Sequence, residues 1–409
     1  MRILISSIGS RGDVQPIVAL ALELRALGHD PSLCVAPNFK DWIESFGLVC
    51  VPIGPDLKKL TAGSAPSTAP SLSDEQRRQF AAQAIRTQFP IMNEAARGCH
   101  LIVAAGALQF TTRSVAELLA IPCVYATYCP VTLPSPDHPP PRIGSSDSPP
   151  SPGESNRSLW NKDARRWNGL FREPLNEERV KAGLAPIKTN VQRYIFTDRP
   201  WLAADPTLAP APSGTRMRIV QTGAWILRDP TPLPDELEKF LAEGEPPVYL
   251  GFGSMRASEH TGRLLLDAAR AVGRRAIVSQ VWANLRPLDT GTDWISIGDV
   301  SHERLFARVA AVLHHGGAGT TTTAAVAGRP QAIVPHDYDQ PYWAQRVERL
   351  GVGVSLPGPK NLTVDAVASA LRACLQPEMA ARAELLATRI ERNGARIAAQ
   401  RLVDEFYVT

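Results

Sequence analysis

Residues 1–28 read MRILISSIGSRGDVQPIVALALELRALG, and the order of features in that stretch decides the fold. Residues 2–7 are a short apolar run of the kind that makes a buried strand. After the loop, Val14, Ile17, Val18, Ala21 and Leu24 recur at helical spacing until Gly28 closes the helix. A buried strand, a glycine-bearing loop and an amphipathic helix form the opening unit of a parallel, doubly wound sheet. The same stretch is too short for a signal h-region, since Gly9, Arg11 and Asp13 interrupt it before any small-residue cleavage pattern.

The alternation continues outward. Strand-like runs follow at 32–36, 101–105 and 123–127, with helical patterns at 40–46, 75–96 and 112–119. It then restarts, with strands expected at 248–252, 276–280, 294–297, 311–314 and 331–334 and helices at 261–272, 303–307 and 319–327. A length of 409 residues accommodates two domains, and two such series predict two Rossmann-like α/β halves. The Pro/Ala/Gly-rich stretch Asp205-Pro-Thr-Leu-Ala-Pro-Ala-Pro-Ser-Gly-Thr215 marks the expected boundary: a first domain over 1–205, a linker over 206–220 and a second domain over 221–392. A helix over 393–409 is expected to return to the first domain. A second segment, 129–156, contains nine prolines and reads as a loop inside the first domain, of the length that more often forms a functional lid than scaffold. The following pattern, 159–171, reads as an amphipathic helix packed on its own domain, with an acceptor-facing or lipid-facing helix as the alternative.

Hydrophobic residues make up 44% and charged residues 21%, as in ordinary globular proteins. Lys plus Arg number 44 against 40 Asp plus Glu, so charge offers no case for nucleic acid. No uncharged apolar run approaches the ~20 residues of a membrane span, which leaves at most peripheral membrane contact. Six cysteines without a C-x-x-C pair read as reduced thiols of a cytoplasmic protein.

Three stretches carry chemistry. In Gly9-Ser10-Arg11-Gly12-Asp13, between the first strand and helix, Asp13 is a candidate general base, with helix capping as the alternative role. The stretch is neither a dinucleotide fingerprint nor a P-loop. In His314-His315-Gly316-Gly317-Ala318-Gly319-Thr320-Thr321, glycines at a helix start suit a diphosphate, and adjacent histidines on an extended segment point to opposite sides, one into the core and one toward the ligand. In His336-Asp337-Tyr338-Asp339-Gln340-Pro341-Tyr342, Asp339 and Gln340 offer a carboxylate and an amide to sugar hydroxyls. Asp337 with Asp339 as a metal-holding D-x-D is the alternative.

Together with Thr197-Asp198-Arg199-Pro200-Trp201, Gln221-Thr222-Gly223-Ala224-Trp225 and Gly251-Phe252-Gly253-Ser254, these motifs resemble, over nearly the whole length, the family 1 inverting glycosyltransferases. The similarity is to the bacterial natural-product branch that includes glycopeptide-antibiotic enzymes, with sterol glucosyltransferases more distant. The resemblance implies the GT-B fold, two Rossmann-like doubly wound domains facing across a cleft, acceptor bound by the first and nucleotide sugar by the second. It implies Asp13 as general base. It places Arg11, Gly12 and Ser254 near the donor diphosphate, His315, Gly317, Ala318, Gly319 and Thr320 in the phosphate loop, Trp282 and Val300 at the nucleobase and ribose, and Asp339 and Gln340 on the hexose hydroxyls, which favours glucose. No metal or cofactor is implied beyond the UDP- or dTDP-sugar co-substrate, so Asp337 is incidental. The 129–156 segment reads as longer than the acceptor loop of the glycopeptide enzymes, which argues against inheriting their heptapeptide acceptor.

The expectation is therefore transfer of a hexose, glucose first, to a hydroxyl of a small hydrophobic natural-product aglycone. A nucleotide-sugar epimerase of the same fold, a non-catalytic nucleotide-sugar-binding auxiliary protein and a metal-dependent transferase using Asp337 and Asp339 are the rivals.

Overall fold

The structure, a computed structural model, describes residues 1–56, 73–142, 151, 153–253, 259–279 and 291–407. The chain divides into two compact units, Met1–Pro206 with Pro210–Leu227 and Asn393–Thr409, and Thr207–Ala209 with Arg228–Arg392.

In the first unit, β1 (Arg2–Ser7), β2 (Asp30–Val35), β3 (Val49–Pro52), β4 (Leu101–Ala105), β5 (Cys123–Thr127), β6 (Trp201–Leu202) and β7 (Val220–Gln221) pair in parallel. Among the described residues their order is β3-β2-β1-β4-β5-β6-β7. The central strands β1 and β4 are buried almost without alternation, as expected where helices cover both faces of a parallel sheet. The first helix, Arg11–Ala26, buries Val14, Ile17, Val18, Leu20, Ala21 and Leu24 against that sheet. It ends because Gly28 takes a left-handed φ of 82° and His29 N–H returns to the Leu24 carbonyl at 3.0 Å. Truncating fully buried Leu24 to Ala would cost about 2–5 kcal/mol.

In the second unit, β8 (Val248–Gly251), β9 (Ala276–Ser279), β10 (Trp294–Ile297), β11 (Ala311–His314), β12 (Gln331–Ile333) and β13 (Gly353–Ser355) form a parallel sheet of order β10-β9-β8-β11-β12-β13 among the described residues. The period-two side-chain alternation splits its core in two. Val248, Leu250, Ala311 and Leu313 pack with helices Glu259–Ala271 and Val364–Cys374, while Tyr249, Ile277 and Val312 pack with helices Asp235–Ala242 and His302–Phe306.

The expected linker is not where composition suggested. Residues 210–227 remain in the first unit, because Val220–Gln221 pairs with Trp201–Leu202 and the Gln221 side chain bonds the Ala204 carbonyl (2.8 Å) and the Ala211 amide (3.0 Å). The prolines thus form a loop folded back on one glutamine, and the chain leaves the unit after Leu227. Residues 207–209 join the second unit, where Arg346 donates to the carbonyls of Leu208 (2.9 Å) and Thr207 (3.3 Å). The C-terminal helix Gly394–Phe406 belongs to the first unit, and it packs so tightly that a Cβ on Gly394 would stand 2.4 Å from the Ala224 carbonyl. The aromatic residues of 159–171 pack on their own unit: Trp160 donates to the His138 carbonyl at 2.9 Å and a π-helical turn, Asn168–Arg172, stacks Phe171 on Phe110 at 4.2 Å. Among the described residues no helix is long and apolar enough to cross a membrane.

Candidate active site

In open parallel sheets, ligands bind beyond the carboxyl ends of the strands where strand order reverses. In the first sheet that point lies between β1 and β4, and the loop after β1 carries Asp13 as the third residue of helix Arg11–Ala26. Asp13 does cap its helix, but by reaching backward: Oδ2 accepts from the Ser10 amide at 2.8 Å and from the Ser10 hydroxyl at 3.1 Å. Oδ1 points elsewhere, toward Gly106 in the loop after β4, where a Cβ would lie 3.6 Å away. Capping therefore occupies one oxygen of this carboxylate and leaves the other facing Gly106. Burial pushes this carboxyl above its ordinary value, against the lowering pull of the Ser10 bonds, and a raised carboxyl is a stronger base. Gly9 is required by contact: a Cβ there would stand 2.3 Å from Oδ2.

Of the other first-unit candidates, Gly12 is exposed beside Asp13, and the Arg11 guanidinium lies over the Trp42 ring, 4.6 Å from its centroid. Ser254 and Trp282 lie outside the described residues.

The second sheet reverses between β8 and β11, and the loop after β11 is the glycine-rich stretch. Its two histidines separate as their alternation requires. His314 is fully buried, with Nε2 on Gln331 Oε1 at 2.9 Å and Nδ1 accepting from the Gly316 amide at 3.0 Å; burial holds it down to about 4. His315 lies between glycine backbones: a Cβ on Gly253 would come within 2.9 Å of its Cε1, and one on Gly317 within 2.6 Å of its Nε2. Burial first, then His314 and the other nearby histidines His336 and His302, lowers it to about 3, so it is a neutral ring, and its Nδ1 is buried without a hydrogen-bond partner.

Gly317 caps the helix Ala318–Val326 without a side-chain bond, and the first intrahelical amide is that of Thr321, which donates to the Gly317 carbonyl at 3.0 Å. The amides of Ala318, Gly319 and Thr320 thus head a helix start suited to an anion.

Gly316, at φ 91°, brings the third motif against this loop, since a Cβ there would stand 3.2 Å from the Gln340 carbonyl. Gln340 Oε1 accepts from the amides of His336 (2.7 Å) and Asp337 (3.2 Å), which leaves only its NH2 to read a ligand. Asp339 does not cap its helix; its Oδ2 accepts from Trp343 Nε1 at 2.9 Å. Between Asp337 and Asp339, Tyr338 holds a left-handed φ of 60°, an uncommon conformation for a bulky residue. Val300 packs, half-buried, on the core beneath β10. Among the described residues no group of three or more His, Cys, Asp or Glu side chains is placed to hold a metal ion.

Sequence reasoning did not single out Gly9, Gly106 or Gly253 for roles of their own. Their signal was position, each following an apolar strand run, but the partner each must clear is set by the tertiary register.

Residues 3–135 match the glycosyltransferase family 28 N-terminal domain, and residues 265–398 match the erythromycin biosynthesis protein CIII-like C-terminal domain. The vancomycin aglycone glucosyltransferase of Amycolatopsis orientalis is 46% identical over 412 positions, covering 99% of this chain and 97% of that one. The dTDP-epi-vancosaminyltransferase of the same organism is 40% identical over 392 positions, covering 94% and 92%. The solved structure of the glycosyltransferase VinC in complex with dTDP, 22% identical, superposes with a TM-score of 0.70 over 99% of both chains and speaks to the fold. Identity of this degree, held from end to end, means that the chain belongs to the family 1 natural-product glycosyltransferases and is itself a glycosyltransferase of the GT-B fold class.

Proposed function

We propose that this chain moves glucose from UDP- or dTDP-glucose to a hydroxyl of a glycopeptide aglycone, with inversion and without a metal. The observation that carries the reading is the divided Asp13 carboxylate, one oxygen fixed by Ser10 and the other facing the gap left by Gly106. Asp13 takes the proton of the acceptor hydroxyl while that oxygen bonds to the anomeric carbon. The bond from that carbon to the diphosphate oxygen breaks, and its electron pair leaves with the nucleoside diphosphate. The helix start at Ala318–Thr320 and the His315 ring hold the departing charge, a role for preorganised donors in place of a cation. Asp339 and the NH2 of Gln340 read the hexose.

The acceptor class is supported by the near-complete match to the vancomycin aglycone glucosyltransferase, which covers 99% of this chain and 97% of that one. For the acceptor class this likeness is given more weight than the length of the 129–156 segment, which pointed away from a peptide aglycone. The dTDP-epi-vancosaminyltransferase supports dTDP as one of the two donor nucleotides. A cytoplasmic site of action belongs to the same reading.

The test is mass spectrometry of reactions holding the protein, EDTA, UDP-glucose or dTDP-glucose, and vancomycin aglycone beside phenolic, macrolide and sterol acceptors. A single hexose added to the peptide aglycone is expected. Addition only to another acceptor overturns the acceptor class, release of an isomerised sugar without acceptor selects an epimerase, and activity that needs a divalent cation overturns the metal-free mechanism.

A further inference from the structure

We propose that Tyr128 and Ser7 are positioning residues for Asp13, their two hydroxyls converging on its main-chain carbonyl to fix the first turn of its helix. The proposal rests on the reading of Asp13 as the base.

Tyr128 Oη donates to the Asp13 carbonyl at 2.8 Å, and Ser7 Oγ donates to the same oxygen at 3.0 Å. Ser7 is the last residue of β1, Tyr128 directly follows β5, and β4 lies between those strands, so the helix start is tied to the sheet from both sides of β4. The turn needs such a tie. Pro16 sits inside the helix and has no N–H to give the Gly12 carbonyl four residues back, so the turn that carries Asp13 lacks one of its own bonds. The Asp13 carbonyl, by contrast, faces the ordinary amide of Ile17, and satisfying it does not call for two further donors.

The same three residues border one small space. A Cβ on Gly106 would lie 3.6 Å from Asp13 Oδ1, 3.6 Å from Ser7 Oγ and 4.0 Å from the Tyr128 ring. Tyr128 is held in turn by Trp225, edge-on at 6.2 Å between centroids, whose indole donates to Thr222 Oγ1 at 3.0 Å. Burial, and then the nearby Asp13 carboxylate, push the phenol well above its ordinary value, so it remains a donor across the working pH range. Neither hydroxyl bonds the carboxylate itself; both act on it through the backbone.

The experiment compares Tyr128→Phe and Ser7→Ala in the full chain, in wild-type and Asp13→Asn backgrounds, with UDP-glucose and vancomycin aglycone. Tyr128→Phe is expected to lower kcat about tenfold, a fraction of what a full ångström of misplacement costs. The KM for UDP-glucose stays put, and the acid limb of the pH profile moves to lower pH as water reaches the loosened carboxylate. In the Asp13→Asn background the same substitution is expected to leave the residual rate unchanged. Wild-type kcat and pH profile in Tyr128→Phe, or an equal fractional loss in the Asp13→Asn background, overturns the proposal. Should Tyr128→Phe fail to fold, Ser7→Ala carries the same comparison. Full turnover in Asp13→Asn would instead remove the base reading, a result separable from an inactive Asp13→Asn beside a fully active Tyr128→Phe.

Discussion

Replacing Gly9 by Ala tests the geometry of the proposed base, Asp13, without substituting it. The added Cβ would stand 2.3 Å from Asp13 Oδ2, 2.5 Å from Cγ and 2.9 Å from Cβ, whereas ordinary contact begins at 3.4 Å. Gly9 does not have a positive φ, so the clash acts without backbone strain. The carboxylate must retreat by about 1 Å, and a displacement of that size costs about 10²-fold in rate, or roughly 2.7 kcal/mol of barrier. Retreat also breaks the Ser10 amide bond to Oδ2, a capping loss of about 1 kcal/mol that lowers Tm by about 2–4 °C in a unit of this size. Steady-state kinetics with both substrates varied, beside thermal melts, separate the two effects: kcat falls about a hundredfold while donor KM holds. Gly169→Ala serves as the control, since nothing lies within 4 Å of a Cβ there. A Gly9→Ala enzyme that keeps kcat within twofold of wild type, with the fold intact, would refute the claim that the position of this carboxylate sets the rate.

Two further predictions concern the second unit. Gln340→Glu keeps an acceptor for the His336 and Asp337 amides but loses its NH2, so nucleoside diphosphate affinity holds while KM for the nucleotide sugar rises by up to about tenfold. Gln340→Leu strands both amides and weakens both ligands; calorimetry with the nucleotide alone distinguishes the two, and an unaltered sugar-nucleotide KM in Gln340→Glu would remove the NH2 from sugar recognition. His314 stays neutral in the native state down to about 4, while the unfolded chain takes up that proton near 6.5. Its contribution is therefore complete above pH 6.5 and is lost at roughly 1.4 kcal/mol per pH unit as pH falls toward 4. His314→Phe should be less stable at pH 7, because the Gly316 amide and Gln331 lose their partner, yet flatter between pH 6.5 and 4.5 in urea titrations. An unchanged pH slope would contradict the burial argument.

The central strands were legible because burial on both faces leaves an uninterrupted apolar run: β1, β4, β5 and β11 lie where that pattern places them. The strands β6 and β7 have two residues each and no period to detect, and β7 follows a proline-rich stretch that composition alone reads as a linker. The edge strand β3 has four residues and ends on Pro52, a residue that reads as a turn; its first residue, Val49, is 60% exposed. At the site, residue type and position relative to a strand end pointed to Asp13, to the Gly317–Thr320 helix start and to the opposite roles of His314 and His315. Parallel-strand register decides the rest. It sets Gly106 opposite Asp13 Oδ1 and brings Tyr128 onto the Asp13 carbonyl, neither of which leaves a local mark in the chain.

The most direct measurement is single-turnover transfer from UDP-glucose to vancomycin aglycone by wild type and Asp13→Asn, with donor affinity measured calorimetrically on the same preparations. The account predicts that Asp13→Asn, which keeps an oxygen for Ser10 but accepts no proton, loses about 10²–10⁴-fold in rate while donor affinity is unchanged. Transfer at a near wild-type rate with donor affinity unchanged would contradict it.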